Sequence, residues 1–223
     1  MKKINCFCLT LGLVAIFCLQ ACLVNCLWAQ DDWQYWSAYN FRHKINDRWG
    51  LVLNPQVRIF DDATDFSYYE SRFGIVYGFN KHFDLGVNYL FSNTKNTLGK
   101  WTDENNLELE ATPKWSLAGF KFSDRNRFEY RIVNGKPKNR YRNNLKISRS
   151  VKMGKNEWIP FIGNELFYDF KASEYNQNRF SVGIGKNLSK NLALEIYLMS
   201  KMDKTGRDWK NSDIVGTNLQ VSF

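Results

Sequence analysis

The sequence predicts an all-β fold: a transmembrane, antiparallel, up-and-down β-barrel, best fitted by twelve strands, with ten as the alternative. Three observations point there. From about Trp33 onward, runs of roughly ten residues alternate apolar and polar with period two and are punctuated by turn residues. The last run, Ile214 to Phe223, alternates strictly and stops on an aromatic: Val215, Thr217, Leu219, Val221 and Phe223 share one face, and Gly216, Asn218, Gln220 and Ser222 the other. Aromatic residues make up 16% of the chain and gather near the ends of the runs, where a lipid–water interface holds them.

The first element is a targeting segment. Lys2-Lys3, an apolar stretch from Ile4 to Val24 and the small residue Ala29 describe a secretory signal peptide over residues 1–29, cut after Ala29, which leaves 30–223 as one barrel domain. All five cysteines (Cys6, Cys8, Cys18, Cys22 and Cys26) precede that cut. The mature chain is therefore expected to have no disulfide, thiolate nucleophile or Cys-ligated metal. Leu19-Gln20-Ala21-Cys22 loosely resembles a lipoprotein box, with Gln an unusual residue there. Removing two leader lysines from 31 basic residues leaves 29 against 22 acidic ones, a net charge of +7. In an exported chain with its charges dispersed, that balance excludes nucleic acid and favours anionic lipid head groups and lipopolysaccharide. A mean hydropathy of −0.46 is compatible with strands that are only half apolar.

The strands follow in order. Trp33, Tyr35, Tyr39 and Phe41 open the series, closed by Asn46-Asp47-Arg48. Leu51, Leu53, Val57 and Ile59 oppose Asn54, Gln56 and Arg58; the acidic loop Asp61–Asp65 follows. Tyr69, Phe73, Ile75, Tyr77 and Phe79 oppose Glu70, Arg72, Gly74 and Gly78, and the turn at Asn80-Lys81 leads to Leu85, Val87, Tyr89 and Phe91. A long polar loop is expected from Asn93 to about Asp103. Leu107, Leu109 and Ala111 oppose Glu108 and Glu110; Phe128, Tyr130 and Ile132 oppose Arg127, Glu129 and Arg131. After Asn134-Gly135, Tyr141, Leu145 and Ile147 oppose Arg140, Arg142 and Lys146. Trp158 to Phe170 alternates less cleanly, with Glu165 the clearest inward residue. Phe180, Val182 and Ile184 oppose Arg179, Ser181, Gly183 and Gly185; Leu192, Leu194, Ile196 and Leu198 oppose Glu195 and Tyr197. A basic loop with Lys201, Lys204, Arg207 and Lys210 precedes the closing strand.

That series has about eleven segments, whereas bacterial single-chain barrels have even strand numbers. The stretch Thr112–Arg125, with Pro113 and Gly119, is expected to hide an extra short strand, giving twelve; exclusion of the first segment would give ten. Short turns at Asn46, Asn80 and Asn187 are assigned to the periplasmic side and longer loops to the outside. A β-sandwich also alternates, but it turns charges to solvent, whereas here paired charges sit mid-strand opposite bulky aromatics.

The segment Asp124-Arg-Asn-Arg-Phe-Glu-Tyr-Arg131, then Arg140-Tyr-Arg142, then Pro160-Phe-Ile-Gly-Asn-Glu165, resembles the DUF2490 family over about Trp33 to Phe223. The resemblance implies an outer-membrane barrel of Bacteroidetes-type and related Gram-negative bacteria. It implies no reaction, substrate, cofactor or catalytic residue.

With the apolar face toward lipid, Arg58, Arg72, Arg125, Arg127, Arg131, Arg140, Arg142 and Arg179 point inward, as do Glu70, Glu108, Glu110, Glu129, Glu165 and Glu195. Arginine suits such a lining because its planar fork grips carboxylates bidentately and stays charged. Interlocking Arg–Glu pairs would fill and seal a narrow lumen; the alternative is a small charged pore for ions or solutes. A lipid-active enzyme is the third reading. It would need a nucleophile, a His base and an orienting group, and the two histidines, His43 and His82, have no Ser motif nearby. Asp61, Asp62 and Asp65 are the remaining candidate cation ligands, read as a hydrated loop. Leu219, Val221 and Phe223 form the barrel-closing signal through which assembly machinery would engage the last strand. A monomer without cofactor is expected.

Overall fold

Period-two alternation becomes strand from Trp33 to Ser222 with only short interruptions. The computed structural model describes residues 33–96, 98–154 and 156–223. The expected signal peptide and Cys22 lie outside these residues. Twelve strands follow one another: β1 (Trp33–Lys44), β2 (Trp49–Phe60), β3 (Asp65–Asn80), β4 (Phe83–Lys95), β5 (Trp101–Leu117), β6 (Phe120–Val133), β7 (Lys136–Ser148), β8 (Val151–Met153), β9 (Asn156–Asp169), β10 (Glu174–Asn187), β11 (Leu192–Thr205) and β12 (Asp208–Ser222). Each pairs antiparallel with its sequence neighbour, except at β8. The three residues of β8 pair with the start of β9, and Ser148 pairs with Phe161 further along the same strand, so β8 prolongs the line of β7. Eleven staves therefore make the ring.

An odd number of alternating staves leaves its first and last members pointing the same way. β1 and β12 accordingly pair in parallel, from Trp33 opposite Asp213 to Arg42 opposite Ser222. Side chains pin this seam: the Tyr35 and Thr217 hydroxyls lie 2.9 Å apart, Thr217 donates to Ser37 Oγ at 3.3 Å, and Asn40 donates to Asn218. The eleven staves close into a ring in which each pairs on both edges.

The twelfth strand is not where the sequence placed it. Thr112–Arg125 contains no separate strand: β5 runs to Leu117 and β6 starts at Phe120 across a two-residue turn. Ala118 (φ 51°) and Gly119 (φ 80°) are both left-handed there, as Asn134 (φ 48°) and Gly135 (φ 72°) are in the next hairpin. Two expected loops are also strand. β4 continues to Lys95 and β5 begins at Trp101, which leaves only 96–100 between them. Lys201 and Lys204 lie in β11 and Lys210 in β12, so of the basic loop only Arg207 sits in a turn. Beyond the apolar belt both faces of a strand meet water and the period-two signal fades, although the backbone ladder continues. Connections are consequently short at both ends rather than alternately short and long. Side-chain amides and carboxylates tie several of them: Asn46 Oδ1 accepts from the amides of Arg48 and Trp49 (both 2.9 Å), and Asp169 Oδ1 from Lys171 (2.8 Å) and Ala172 (3.0 Å).

The outside of the ring is apolar. Phe73 is 56% exposed and Val87 52%, in a belt that includes Leu51, Leu53, Ile75, Leu107, Leu109, Ile196 and Leu198. Aromatics bound it on both sides. Trp49–Tyr77 (centroids 4.7 Å apart) and Trp115–Phe122 (5.1 Å, stacked) lie toward the end that carries the β1–β2 and β5–β6 turns. Phe66, Tyr69 and Trp101, and Tyr168, Phe170 and Tyr175, cluster toward the opposite end. On β3 roughly ten residues separate the girdles; at about 3.4 Å per residue and about 40° tilt they stand ~25 Å high.

Candidate functional site in the barrel lumen

Alternation that turns Leu and Phe outward turns Arg and Glu inward, and the structure brings all fourteen sequence-selected charges into ion pairs. Glu108 and Glu129 are 0% exposed and Arg127 2%, at the centre. Arg127 reaches Glu108 (3.3 Å), Glu129 (3.5 Å) and Glu110. Arg72 spans Glu108 (2.7 Å) and Glu70 (3.4 Å). Glu129 accepts from Arg140 Nε (2.6 Å) and Arg142 (2.9 Å); Arg142 continues to Glu165 (2.8 Å), which Arg125 (2.7 Å) and Arg179 (3.3 Å) also meet. Arg131 grips a residue the sequence reading passed over, Glu104, with two bonds of 2.7 Å. Arg58 lies 3.8 Å from Glu70, to which Tyr68 donates its hydroxyl. Glu195 pairs with Lys146 at 2.6 Å.

Neighbouring strands place these groups in register. Glu110 stands opposite Arg127, Glu108 opposite Glu129, and Glu129 opposite Arg140. The like-charged Glu108–Glu129 and Arg127–Arg142 oppositions are relieved diagonally, since each carboxylate bonds guanidiniums one step along. Arg–Glu pairs thus form a continuous layer across the ring. A cavity of 220 Å³ lies on one side of it, and one of 480 Å³ lined by Arg42, Asn54, Ser123 and Gln220 on the other.

Tyr197 was placed inward correctly, but the aromatics Trp36, Phe161 and Phe167 inside the lumen were missed, because an inward aromatic looks like an interruption of the alternation. Trp36 is 2% exposed and Phe167 0%. The Arg58 guanidinium carbon sits 3.9 Å from the Trp36 ring centroid, and those of Arg179 and Arg142 sit 4.5 and 4.6 Å from Phe167. Such stacking offsets part of the cost of taking a cation from water. Phe161 and Phe167 on the inner face of β9 explain why Trp158–Phe170 alternates poorly. Tight glycines serve the same filling. A Cβ on Gly216 would lie 2.0 Å from Tyr197 Cζ, and one on Gly183 2.5 Å from Phe161 Cζ.

The other candidates do not converge. His43 is exposed on β1, and His82 Nδ1 lies 3.2 Å from the Lys114 carbonyl; among the described residues neither hydrogen-bonds a serine. Asp65 is committed to Lys95 (2.8 Å), and no three His, Asp or Glu side chains gather as a metal site among the described residues. Lys201 pairs with Asp203 (2.5 Å) and Lys204 with Glu174. Leu219, Val221 and Phe223 share the outer face, and the Phe223 amide donates to the Arg42 carbonyl at 2.9 Å.

The family model described as "Protein of unknown function (DUF2490)" matches residues 33–212. The chain belongs to this family. A comparison with curated proteins gives no match. Among solved structures the DUF2490 chain is similar to a "Bacterial polysaccharide outer membrane secretin", at 10% identity over 81% of this chain and 67% of that one, with a TM-score of 0.52. It is also matched by the β domain of the Bordetella autotransporter Brka, at 14% identity over 78% and 83% of the two chains, with a TM-score of 0.44. The first likeness is one of fold alone.

Proposed function

We propose that this DUF2490 chain is an outer-membrane barrel with a closed, ion-paired lumen, serving a structural or interaction role without catalysis. The layer centred on Arg127, Glu108 and Glu129 carries this reading, because its three central members are at most 2% exposed between two cavities. Location in an outer membrane is supported by the apolar belt between aromatic girdles, a surface that water would penalise and lipid would not. Export by the leader at 1–29, a monomeric state, assembly through Leu219, Val221 and Phe223, and contact of Arg207 and Lys210 with lipopolysaccharide belong to the same proposal.

A narrow channel is the second reading, favoured by one observation: a single layer of side chains separates the two cavities. Single-channel recording of the refolded protein in a planar bilayer, beside Arg127→Ala and Glu129→Ala, decides between them. A silent wild type with leaky variants fits the seal. Discrete wild-type steps whose ion selectivity shifts in the variants refute it. A lipid-active enzyme is the third class, and lipid hydrolysis by the wild type that is lost when His43 and His82 are replaced would establish it.

A further inference from the structure

The two cavities differ in charge. The 220 Å³ cavity opens toward the end that carries the Asp61–Thr64 turn, and six cations line it: Arg58, Arg131, Arg140, Arg142, Arg179 and Lys201. Only two carboxylates, Glu70 and Glu104, line it with them. Four of the cations are already spent. Arg131 is held bidentately by Glu104, Arg140 and Arg142 bond Glu129 at 2.6 and 2.9 Å, and Lys201 meets Asp203 at 2.5 Å.

Arg58 and Arg179 are paired more loosely than these four. Arg58 donates to Gln56 Oε1 at 2.9 Å, and its nearest carboxylate oxygen is 3.8 Å away. Arg179 meets Glu165 at 3.3 Å. The Nε–H of each is buried without a hydrogen-bond acceptor. Both guanidiniums lie over the Trp36 ring, 3.9 and 5.0 Å from its centroid, which holds two like charges at one wall of the cavity. The surrounding network repeats the imbalance, with eight arginines (58, 72, 125, 127, 131, 140, 142 and 179) against six glutamates (70, 104, 108, 110, 129 and 165). Buried donors without acceptors and buried cations in excess of carboxylates are both costly, and one doubly charged oxyanion offsets both costs. A third orphan fits the same ligand. Asn106 is 2% exposed, lines this cavity and has an unpartnered Oδ1, an acceptor suited to the hydroxyl of a protonated phosphate.

We propose that this cavity is a phosphate site, with Arg58 and Arg179 as the clamp, Asn106 accepting the phosphate hydroxyl and Lys201 at the rim. The shared chemistry is a phosphate that can carry a P–OH, whether free or as a monoester on a small solute or a lipid head group. The proposal goes beyond the sealed-lumen reading and holds whether or not the layer beneath the cavity conducts.

The test is isothermal titration of inorganic phosphate into the full barrel refolded in zwitterionic detergent, at constant ionic strength. Wild type should bind one phosphate saturably. Arg58→Gln combined with Arg179→Gln should weaken binding at least tenfold, and Lys201→Gln alone severalfold. Arg42→Gln, which alters the opposite cavity, should leave it unchanged. Retained heat-modifiable migration on gels certifies that each variant is folded; should the double variant not fold, Lys201→Gln and Asn106→Leu carry the test. Repeating the titration in micelles doped with phosphatidic acid, whose head group is a phosphate monoester, separates the sources: competition assigns the site to a head group, and no competition to a soluble phosphate. Absence of saturable binding, binding unaltered in every folded variant of the cavity, or an equal loss in Arg42→Gln overturns the proposal.

Discussion

Removal of the Glu129 carboxylate should be costly to the barrel. It is fully buried and is shared by Arg140 (2.6 Å), Arg142 (2.9 Å) and Arg127 (3.5 Å). In Glu129→Ala, Arg142 keeps Glu165, and Arg127 keeps Glu108 and Glu110, but Arg140 loses its one carboxylate partner among the described residues. One stranded guanidinium sets the magnitude, since deleting one member of a buried pair costs about 3–5 kcal/mol. Arg140→Leu should cost less, about 1.5–3 kcal/mol, because Glu129 still bonds Arg142 and Arg127. The double variant no longer strands Arg140, so its cost should fall below the sum of the singles by about 1–3 kcal/mol. Urea unfolding of the refolded protein in lipid vesicles, followed by tryptophan fluorescence, measures all three. A Glu129→Ala cost under about 1 kcal/mol, or singles that add within about 0.5 kcal/mol, would refute a cooperative charged layer.

Three further outcomes are expected. Gly216→Ala forces the Tyr197 ring from its seat and should destabilise by about 1–3 kcal/mol, and Tyr197→Ala should suppress most of that cost in the double variant. Leu109→Arg, in the middle of the outer belt, should cost about 2–4 kcal/mol in a bilayer and far less in detergent; equal costs in the two would refute a lipid-facing belt. In the exposed β1–β2 turn, Lys44 donates to Asp47 at 2.7 Å and holds its carboxyl below the ordinary range. A depressed carboxyl stabilises the fold above its unfolded pKa and loses that contribution as pH falls through the folded one. An NMR titration should therefore find Asp47 below about 3.9, and in Lys44→Met the midpoint should return toward that value.

The sequence resolved the barrel wherever one face is apolar and the other polar. Leu107, Leu109 and Ala111 against Glu108 and Glu110 show this, and so does the closing strand. The reading faded where both faces are polar, at Asn93–Lys95, Trp101–Asp103 and Lys201–Thr205, which proved to be strand. It faded again where both faces are apolar, on β9, because Phe161 and Phe167 face inward beneath Lys146, Arg142 and Arg179. The inward charges were legible from parity alone. Their partners were not: Glu104 went unselected, and Trp36 could not be told from the outward aromatics beside it. Pairing across strands depends on stagger around the ring, which one strand's alternation does not encode. The eleven alternating segments were the eleven staves of the ring; an extra strand was added to reach an even number, and the real twelfth strand, β8, is three residues long, too short to show a period.

The parallel seam has a consequence for how the chain folds. Every other pairing in the ring joins strands close in sequence, β7 and β9 across the short β8 and the rest direct neighbours, whereas Tyr35 and Thr217 are 182 residues apart. Hairpins zip locally and fast, and the long-range contact is made only after most of the chain is ordered. Until then β1 and β12 are two bare edges of an open sheet, each a template for a foreign strand. The seam should therefore be the last part of the ring to gain amide protection during refolding and the first to lose it when the barrel opens.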